Sequence, residues 1–334
     1  MIDVSVIIVS MDRPDLLGPC LDGLYGQTCV PMEVLVVAYR YAPENLAAVR
    51  SRYPSVRFIE QNNLAGFSEN NNLALREARG RYCLIVNDDT LIRMPLIDRL
   101  VADYSSLPAS AAAISPKIIF PDGRVQTCGR APWTACRYLR HYLHMVDETK
   151  PSKWSMKEGL FQTWTLNGAC FLIRTDVFRE AGWFDERFVF TPEDIALGQK
   201  LNEMGYTVWT DADVEITHLA GGTVGSGRRL SPMETVIKPV RVRGALVYYS
   251  RGSSLRYFLM GVFIWIVELL RGLKYLFTRP RCRSAAPAPS GTRAPATLPD
   301  VRTIRLRTAR TIRRHAIFTR RSAKELFLRL YGEL

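Results

Sequence analysis

Three places along the chain hold residue types that could do chemistry. Asn87-Asp88-Asp89-Thr90 follows directly on the apolar run of residues 82–86. Two carboxylates at the carboxyl end of a strand invite a hard divalent cation, because Mg²⁺ and Mn²⁺ take oxygen ligands and are commonly held by one or two carboxylates together with a substrate's phosphates. The same residues would also serve as a helix cap, a position that Asp and Thr favour. Glu193 and Asp194 stand just after Pro192, at the start of a helical pattern. There the helix dipole favours a carboxylate, whether it accepts a proton from a substrate or merely decorates a first turn. His218 ends a strand-like run; it is either a metal ligand or a hydrogen-bonded structural residue, since neutral imidazole binds Mn²⁺ acceptably. His141 and His144 have no comparable acidic context and read as solvated.

Those residues must be positioned by the elements around them. Residues 4–9 are apolar and β-branched with no polar alternation, the pattern of a strand covered on both faces. Pro14 then opens a helix to about Tyr25, with Leu16, Leu17, Cys20, Leu21 and Leu24 at helical spacing. Strand signals recur at 33–37, 56–59 and 82–87, separated by helical stretches near 44–53 and 68–78. This alternation predicts βαβ units, a parallel sheet and ligand binding at the carboxyl ends of its strands. From about 105 to 165 the pattern degrades into Pro- and Gly-punctuated runs with an aromatic, basic patch at 133–142, which reads as an irregular insertion on the acceptor side. Regular signals return at 165–174, in helices at 175–181 and 192–204, and in a strand at 207–209, so the domain should close near Thr223.

The remainder differs in composition. The chain has 334 residues, 47% apolar and 23% charged, which suits a globular protein and excludes a wholly disordered or fibrous one. Residues 279–334 hold 14 Arg or Lys against Asp300, Glu325 and Glu333, so they carry +11 of the formal +13. A basic appendage of this kind meets something anionic, either lipid headgroups or nucleic acid. Residues 255–277 are strongly apolar but contain Arg256, Glu268, Arg271 and Lys274, and the uninterrupted run 257–267 is only 11 residues. A spanning helix needs about 20, so this one is expected to lie in a membrane interface. The expected parts are a catalytic domain at 1–225, a membrane-associated helical region at 226–279, a Pro/Ala-rich linker at 280–299 and a basic amphipathic helix at 300–334. Seven scattered cysteines with no CxxC pair read as reduced core thiols, and the opening residues do not read as a signal peptide, so the front of the protein is expected in the cytoplasm.

One family ties these signals together. The stretch Gln61-Asn62-Asn63-Leu64-Ala65-Gly66-Phe67-Ser68-Glu69-Asn70-Asn71-Asn72, followed by Ala74, Ala78, Gly80 and the Asn87-Asp88-Asp89 motif, resembles bacterial family-two glycosyltransferases of the rhamnosyltransferase type. The opening Val4 to Pro14 is similar to that family's nucleotide-binding start, and the downstream signature is present as Asn167-Gly168-Ala169-Cys170, Gly182-Trp183-Phe184-Asp185-Glu186, Glu193-Asp194, and residues 214–218 with Gly221. The resemblance covers about residues 3–223 and implies an α/β GT-A fold, a nucleotide-binding half merged with an acceptor-binding half, and inversion at the anomeric carbon. It implies Asp89 and His218 as ligands of Mn²⁺ or Mg²⁺, and Asp194 as the base. Ser10, Asp12, Arg13, Asn70, Asn71, Asn87 and Asp88 would face the donor, and Trp164, Gly168 and Glu193 the acceptor.

Two departures stand out. Ala38 occupies a position where many relatives carry an aspartate that meets the nucleoside, and Ala196 one where a second acid is frequent. The resemblance therefore implies a nucleotide-sugar donor, with dTDP-rhamnose favoured over a UDP-hexose, UDP-galactofuranose or UDP-N-acetylhexosamine. The acceptor would be a carbohydrate or lipid-linked hydroxyl in cell-surface polysaccharide or glycolipid synthesis, at the cytoplasmic face of the bacterial inner membrane. The rival from another class is a degenerate transferase acting as a membrane- or nucleic-acid-binding adaptor through its arginine-rich tail. The retained acidic and imidazole residues argue against it, and nucleic acid is the weaker partner.

Overall fold

The computed structural model describes residues 2–146, 157–219, 233–277 and 301–333. The expected linker at 280–299, Thr223, Gly221 and Cys282 lie outside them. The chain divides into two compact units, residues 1–226 and 227–334. In order, the first unit contains β1 (Val4–Ser10), α1 (Pro14–Gln27), β2 (Met32–Tyr39), α2 (Pro43–Arg52), β3 (Arg57–Gln61), α3 (Phe67–Leu75), β4 (Tyr82–Val86) and β5 (Thr90–Leu91). It continues with α4 (Leu96–Ser105), β6 (Ala111–Ile119), β7 (Val125–Thr127), α5 (Ala135–Tyr142), β8 (Leu160–Thr163), β9 (Cys170–Arg174), α6 (Thr175–Glu180), α7 (Glu193–Glu203) and β10 (Thr207–His218).

The main sheet runs β3-β2-β1-β4-β9-β6-β10-β5, with β7 beside β6 and β8 beside β10. It is mixed, not parallel as the alternation predicted: β1 to β4 form a parallel half, whereas β9 runs antiparallel to both β4 and β6. Both faces are covered, which is why the strands read as unbroken apolar runs. Val4, Val6 and Ile8 point into one core with Leu17, Leu21 and Leu24 of α1. Ile7 points into the other, with Ile85, Phe171, Phe178 and Phe184. The last three rings meet edge-on or tilted at centroid separations of 5.2 to 6.4 Å.

The stretch expected to be an irregular insertion instead supplies an interior strand. Residues 111–116 of β6 are Ala, Ala, Ala, Ile, Ser and Pro, a low-propensity sequence made into a strand by its neighbours β9 and β10. The strand expected at 207–209 runs on to His218, with register shifts against β6 between Thr207 and Val208 and between Asp211 and Glu215. Among the described cysteines, Cys20, Cys83, Cys128 and Cys170 are buried as expected of core thiols, but Cys29 and Cys136 are exposed.

Where α4 packs on β10, the Asp103 carboxyl is half-buried and faces the charge of Asp211. Burial first, then Asp211, push the Asp103 carboxyl up to about 6. A raised folded-state value means that the native state holds the proton more tightly than the unfolded chain, so this contribution is complete below about pH 4 and is lost as pH rises through about 6. Thermal unfolding of the first unit should therefore show a fall in Tm between pH 4 and 7 that Asp103→Asn removes. An unchanged pH profile in that variant would refute the raised Asp103 carboxyl.

The second unit is helical: α8 (Glu234–Ser250), α9 (Ser254–Phe277), α10 (Val301–Thr311), a π-helical stretch (Ile312–Ala316) and α11 (Ala323–Gly332). The sequence reading separated 226–279 from 300–334, yet both belong to this unit. The single basic helix expected after the linker is two helices joined through the π-helical stretch. Met260, Gly261, Ile264, Glu268 and Gly272 form the buried face of α9 at helical spacing. A Cβ on Gly261 would stand 2.9 Å from Ile317, so the glycine permits that close approach. Arg243 donates to the Arg321 carbonyl at 3.0 Å, and α11 opens with a capping box between Ser322 and Glu325. Among the described residues no helix is long and apolar enough to cross a membrane.

Candidate active site

Asn87, Asp88 and Asp89 occupy the turn between β4 and β5, at the carboxyl edge of the parallel half-sheet. The turn is fixed from three sides. The Asn87 amide donates to the Ala169 carbonyl at 3.0 Å, the Thr90 hydroxyl to the Asn87 carbonyl at 2.8 Å, and the Leu219 amide to the Asp89 carbonyl at 2.9 Å. Beneath it, the Cys20 thiol donates to the same Asn87 carbonyl at 3.6 Å. Burial pushes that thiol up to about 12, so it packs as a small apolar group. Asp88 and Asp89 are themselves buried.

The antiparallel pairing of β10 with β5 sets His218 opposite Thr90. His218 Nε2 thus lies 3.0 Å from Asp89 Oδ1 and 3.2 Å from Asn87 Nδ2, and Nδ1 lies 2.9 Å from Gln126 Oε1. A glutamine oxygen only accepts, so the neutral ring carries its proton on Nδ1 and its lone pair on Nε2, toward which the Asn87 amide nitrogen donates. Nε2 and a carboxylate oxygen 3.0 Å apart are then two acceptors facing one another, an arrangement that a cation between them stabilises. Adjacent ligands of a six-coordinate Mg²⁺ or Mn²⁺ ion lie about 3 Å apart, so the pair fits such an ion. Among the described residues no three His, Cys, Asp or Glu side chains cluster as a metal site. Asp89 and His218 would hold the ion together with the phosphates of a substrate.

Gln126 on β7 was missed by the sequence reading, because a glutamine in a three-residue strand has no local signature. It fixes the ring orientation and tautomer of His218, the part an outer partner usually plays for a ligating histidine.

Of the expected donor residues, Ser10 and Arg13 lie along the same edge. Ser10 ends β1, its hydroxyl 2.7 Å from that of Tyr41. Burial first, with the charge of Asp88 adding to it, raises the Tyr41 phenol to about 12. Tyr41 thereby joins the site as a second residue that the sequence did not single out. Arg13 is held by Asp15 at 2.9 and 2.7 Å and holds its proton more tightly for that bond, with the charges of Asp88 and Asp89 adding to the effect. Asp12 is turned elsewhere: its Oδ1 accepts from the Ala42 amide at 3.1 Å and from Asn45 at 2.9 Å, at the start of α2.

Helix α3 serves chiefly as a clamp. Gly66 approaches Val189 so closely that a Cβ would come within 2.6 Å of its carbonyl, which lets the Phe67 amide donate there at 2.8 Å. Ser68 donates to the Phe188 carbonyl at 2.7 Å, and Asn72 exchanges bonds of 2.9 and 3.1 Å with the backbone of Phe184. Asn71 bonds the Phe67 carbonyl, and the buried Asn70 Oδ1 has no hydrogen-bond partner among the described residues. The clamped segment leads directly into α7, whose first turn presents Glu193 and Asp194.

Asp194 is nine-tenths buried. Its Oδ1 accepts from the Ile195 amide at 2.7 Å and its Oδ2 from the Gly168 amide at 3.2 Å. Gly168 directly precedes Ala169, whose carbonyl holds Asn87, so one short loop ties the carboxylate of α7 to the turn of residues 87–89. A Cβ on Gly168 would sit 3.8 Å from Glu193 Oε1 and 3.6 Å from the Phe67 ring. Trp164, just past β8, keeps 44% of its surface exposed while its carbonyl is held by Asn202 at 3.0 Å. It offers a flat aromatic face of the kind on which a sugar ring packs.

Residues 5–182 match the family described as Glycosyl transferase family 2. The chain is 30% identical over 230 residues to the O-antigen biosynthesis protein RfbC of Myxococcus xanthus, which covers 64% of this chain but only 17% of that longer protein. It is 26% identical over 260 residues to the N-acetylglucosaminyl-diphospho-decaprenol L-rhamnosyltransferase of Mycobacterium tuberculosis, covering 67% of this chain and 79% of the relative. Among solved structures it resembles GalNAc-T7 with UDP, GalNAc and Mn²⁺, at a TM-score of 0.51 and 15% identity over 65% of this chain and 44% of that one. It also resembles the mannosyltransferase PcManGT from Pyrobaculum calidifontis in complex with GDP-Man and Mn²⁺, at 0.50 and 16% over 99% and 79%. At such identities the structural likeness speaks for a GT-A-like α/β fold alone.

Proposed function

The chain belongs to glycosyl transferase family 2, with rhamnosyltransferase-like relatives, and on that footing we propose that it transfers a sugar from a nucleotide-sugar donor to an acceptor hydroxyl with inversion. The observation that carries the reading is the contact of Asp89 with His218 from distant parts of the sequence, beside a Gly168-Ala169 loop that bonds both Asp194 and Asn87. In a direct displacement the acceptor oxygen bonds to the anomeric carbon as the bond to the donor's diphosphate breaks. The diphosphate leaves with the electron pair, and the acceptor's proton passes to Asp194. Asp89 and His218 would hold Mn²⁺ or Mg²⁺, whose chemistry is to neutralise charge on the leaving diphosphate. Arg13 lies where a further positive charge would serve that diphosphate, and Trp164 and Glu193 suit the acceptor side.

The name of the mycobacterial relative supports rhamnose as the sugar and a lipid-diphosphate-linked sugar as acceptor; the donor is then dTDP-rhamnose in our reading, with a UDP-hexose, UDP-galactofuranose or UDP-N-acetylhexosamine as the alternative. Leu255, Phe258, Leu259, Ile266, Leu270 and Phe277 are exposed along α9. With the excess of arginine after residue 279, they support placement on an anionic membrane surface, at the cytoplasmic face of the bacterial inner membrane.

Calorimetric titration of UDP, dTDP and GDP into the protein, with Mn²⁺ and then with EDTA, tests the reading. One nucleotide should bind, and only with the metal. Gln126→Leu should weaken that binding about 10- to 100-fold by releasing the His218 ring. Binding indifferent to EDTA would remove the metal from the account, and no binding of any nucleotide would remove the transferase.

A further inference from the structure

Helices α9 and α10 of the second unit leave between them a groove of about 440 Å³. Leu269, Leu273, Leu276 and Leu306 give it an apolar floor, and Arg307 and Arg310 of α10 line it together with Arg313 of the π-helical stretch. The three arginines recur every third residue, close enough to one helical turn to share a face. Gly272 matters here, because a Cβ on it would come within 2.9 Å of the Arg313 guanidinium. That guanidinium lies against α9 instead and donates to the Glu268 carbonyl at 2.7 Å. Among the described residues no carboxylate forms an ion pair with Arg307, Arg310 or Arg313; the nearby Glu268 and Glu333 pair with Arg271 and Arg329. The segment joining the two helices, residues 278–300, contains four arginines and one aspartate, so its own charge repeats that of the groove and does not complement it.

We propose that this groove binds one anionic glycerophospholipid of the bilayer, its phosphate on the arginines and its first acyl carbons on the leucines. Three guanidinium groups match a phosphate in charge and hydrogen-bonding geometry. The leucine floor suits an alkyl chain and leaves the sugar-phosphate backbone of a nucleic acid nothing to pair with. Leu273 and Leu276 belong both to the groove and to the exposed apolar stripe that includes Leu270 and Phe277. A chain leaving the groove therefore continues along the surface that would meet the bilayer. This inference rests on the membrane-facing reading of the second unit and deepens it from a diffuse surface to a single site.

The test titrates the full chain with dihexanoyl phosphatidylglycerol below its micellar concentration. Saturable one-to-one binding is expected, at least tenfold weaker with dihexanoyl phosphatidylcholine. The pair Arg307→Gln and Arg310→Gln should lose at least tenfold, and Arg310→Gln alone, which changes one exposed side chain, severalfold. Arg314→Gln with Arg320→Gln removes the same charge outside the groove and should stay within twofold. Equal losses in both double variants, absence of saturable binding, or equally tight binding of inorganic phosphate would overturn the site. Tighter binding of farnesyl diphosphate than of phosphatidylglycerol would also overturn it, by reassigning the groove to a prenyl-diphosphate acceptor. Sedimentation with phosphatidylglycerol vesicles and Mn²⁺-dependent nucleotide binding, measured on the same samples, separate failure of the lipid site from failure of the membrane or transferase readings.

Discussion

Replacing Asp194 by Asn lowers kcat by about three orders of magnitude and leaves nucleotide binding within about twofold of the native chain. Proton transfer by a positioned side chain contributes roughly 10²- to 10⁴-fold to a rate, and an amide cannot perform it. The substitution is nearly isosteric, and the Ile195 amide, 2.7 Å from Oδ1, keeps its acceptor. The Gly168 amide, 3.2 Å from Oδ2, loses its acceptor, so a small shift of the Gly168 loop belongs to the expected cost. Because this loop also holds Asn87 through Ala169, the control is essential: Mn²⁺-dependent nucleotide affinity must survive while single-turnover transfer collapses. A matching loss of affinity would make Asp194 a structural brace, and a loss of rate below tenfold would move the base elsewhere. Glu193→Gln, next to it on the same helical turn, should cost far less, since in this account Glu193 faces the acceptor and takes no proton.

The parts of this site legible in the sequence were those whose chemistry is local. Asn87-Asp88-Asp89 after a buried strand and Glu193-Asp194 after Pro192 each announce themselves by residue type and immediate context. Gln126 does not, because its importance comes entirely from the 2.9 Å contact with a ring 92 residues away. Tyr41 was likewise hidden, being one aromatic among many until the parallel pairing of β1 and β2 brought it to Ser10. The same division governs the fold. Strands buried on both faces read clearly as apolar runs, whereas β6, with its three alanines and Pro116, is a strand by virtue of its neighbours. The direction of β9 was beyond reach for a related reason: an apolar run has the same pattern whichever way it lies in a sheet, so the mixed topology had no signal. In the second unit, the charges within the apolar stretch were read as marks of a membrane interface. Glu268 turns inward, and the structure gives it a different task.

Replacing Glu268 by Ala should destabilise the second unit by about 3–5 kcal/mol, the usual consequence of removing one partner from a buried ion pair. Glu268 is 1% exposed, with Arg271 Nη1 at 2.5 Å and Lys238 Nζ at 3.7 Å from the same carboxylate oxygen. Burial pulls the Lys238 ammonium below its ordinary value, against which the Glu268 charge acts. Alanine would take from both cations the buried carboxylate that faces them. Glu268→Gln keeps an acceptor for Arg271 and should cost less than alanine, which separates loss of the hydrogen bond from loss of the charge. Urea unfolding followed through Trp265 on α9 reads the effect in the right unit, while Mn²⁺-dependent nucleotide binding by the first unit should be unchanged. A loss below about 1 kcal/mol would mean that the pair is solvated and the helix is held by its apolar contacts alone. The predicted loss would instead show that one face of α9 is closed by a buried charge network, so that the opposite face can expose its leucines without the helix leaving its bundle.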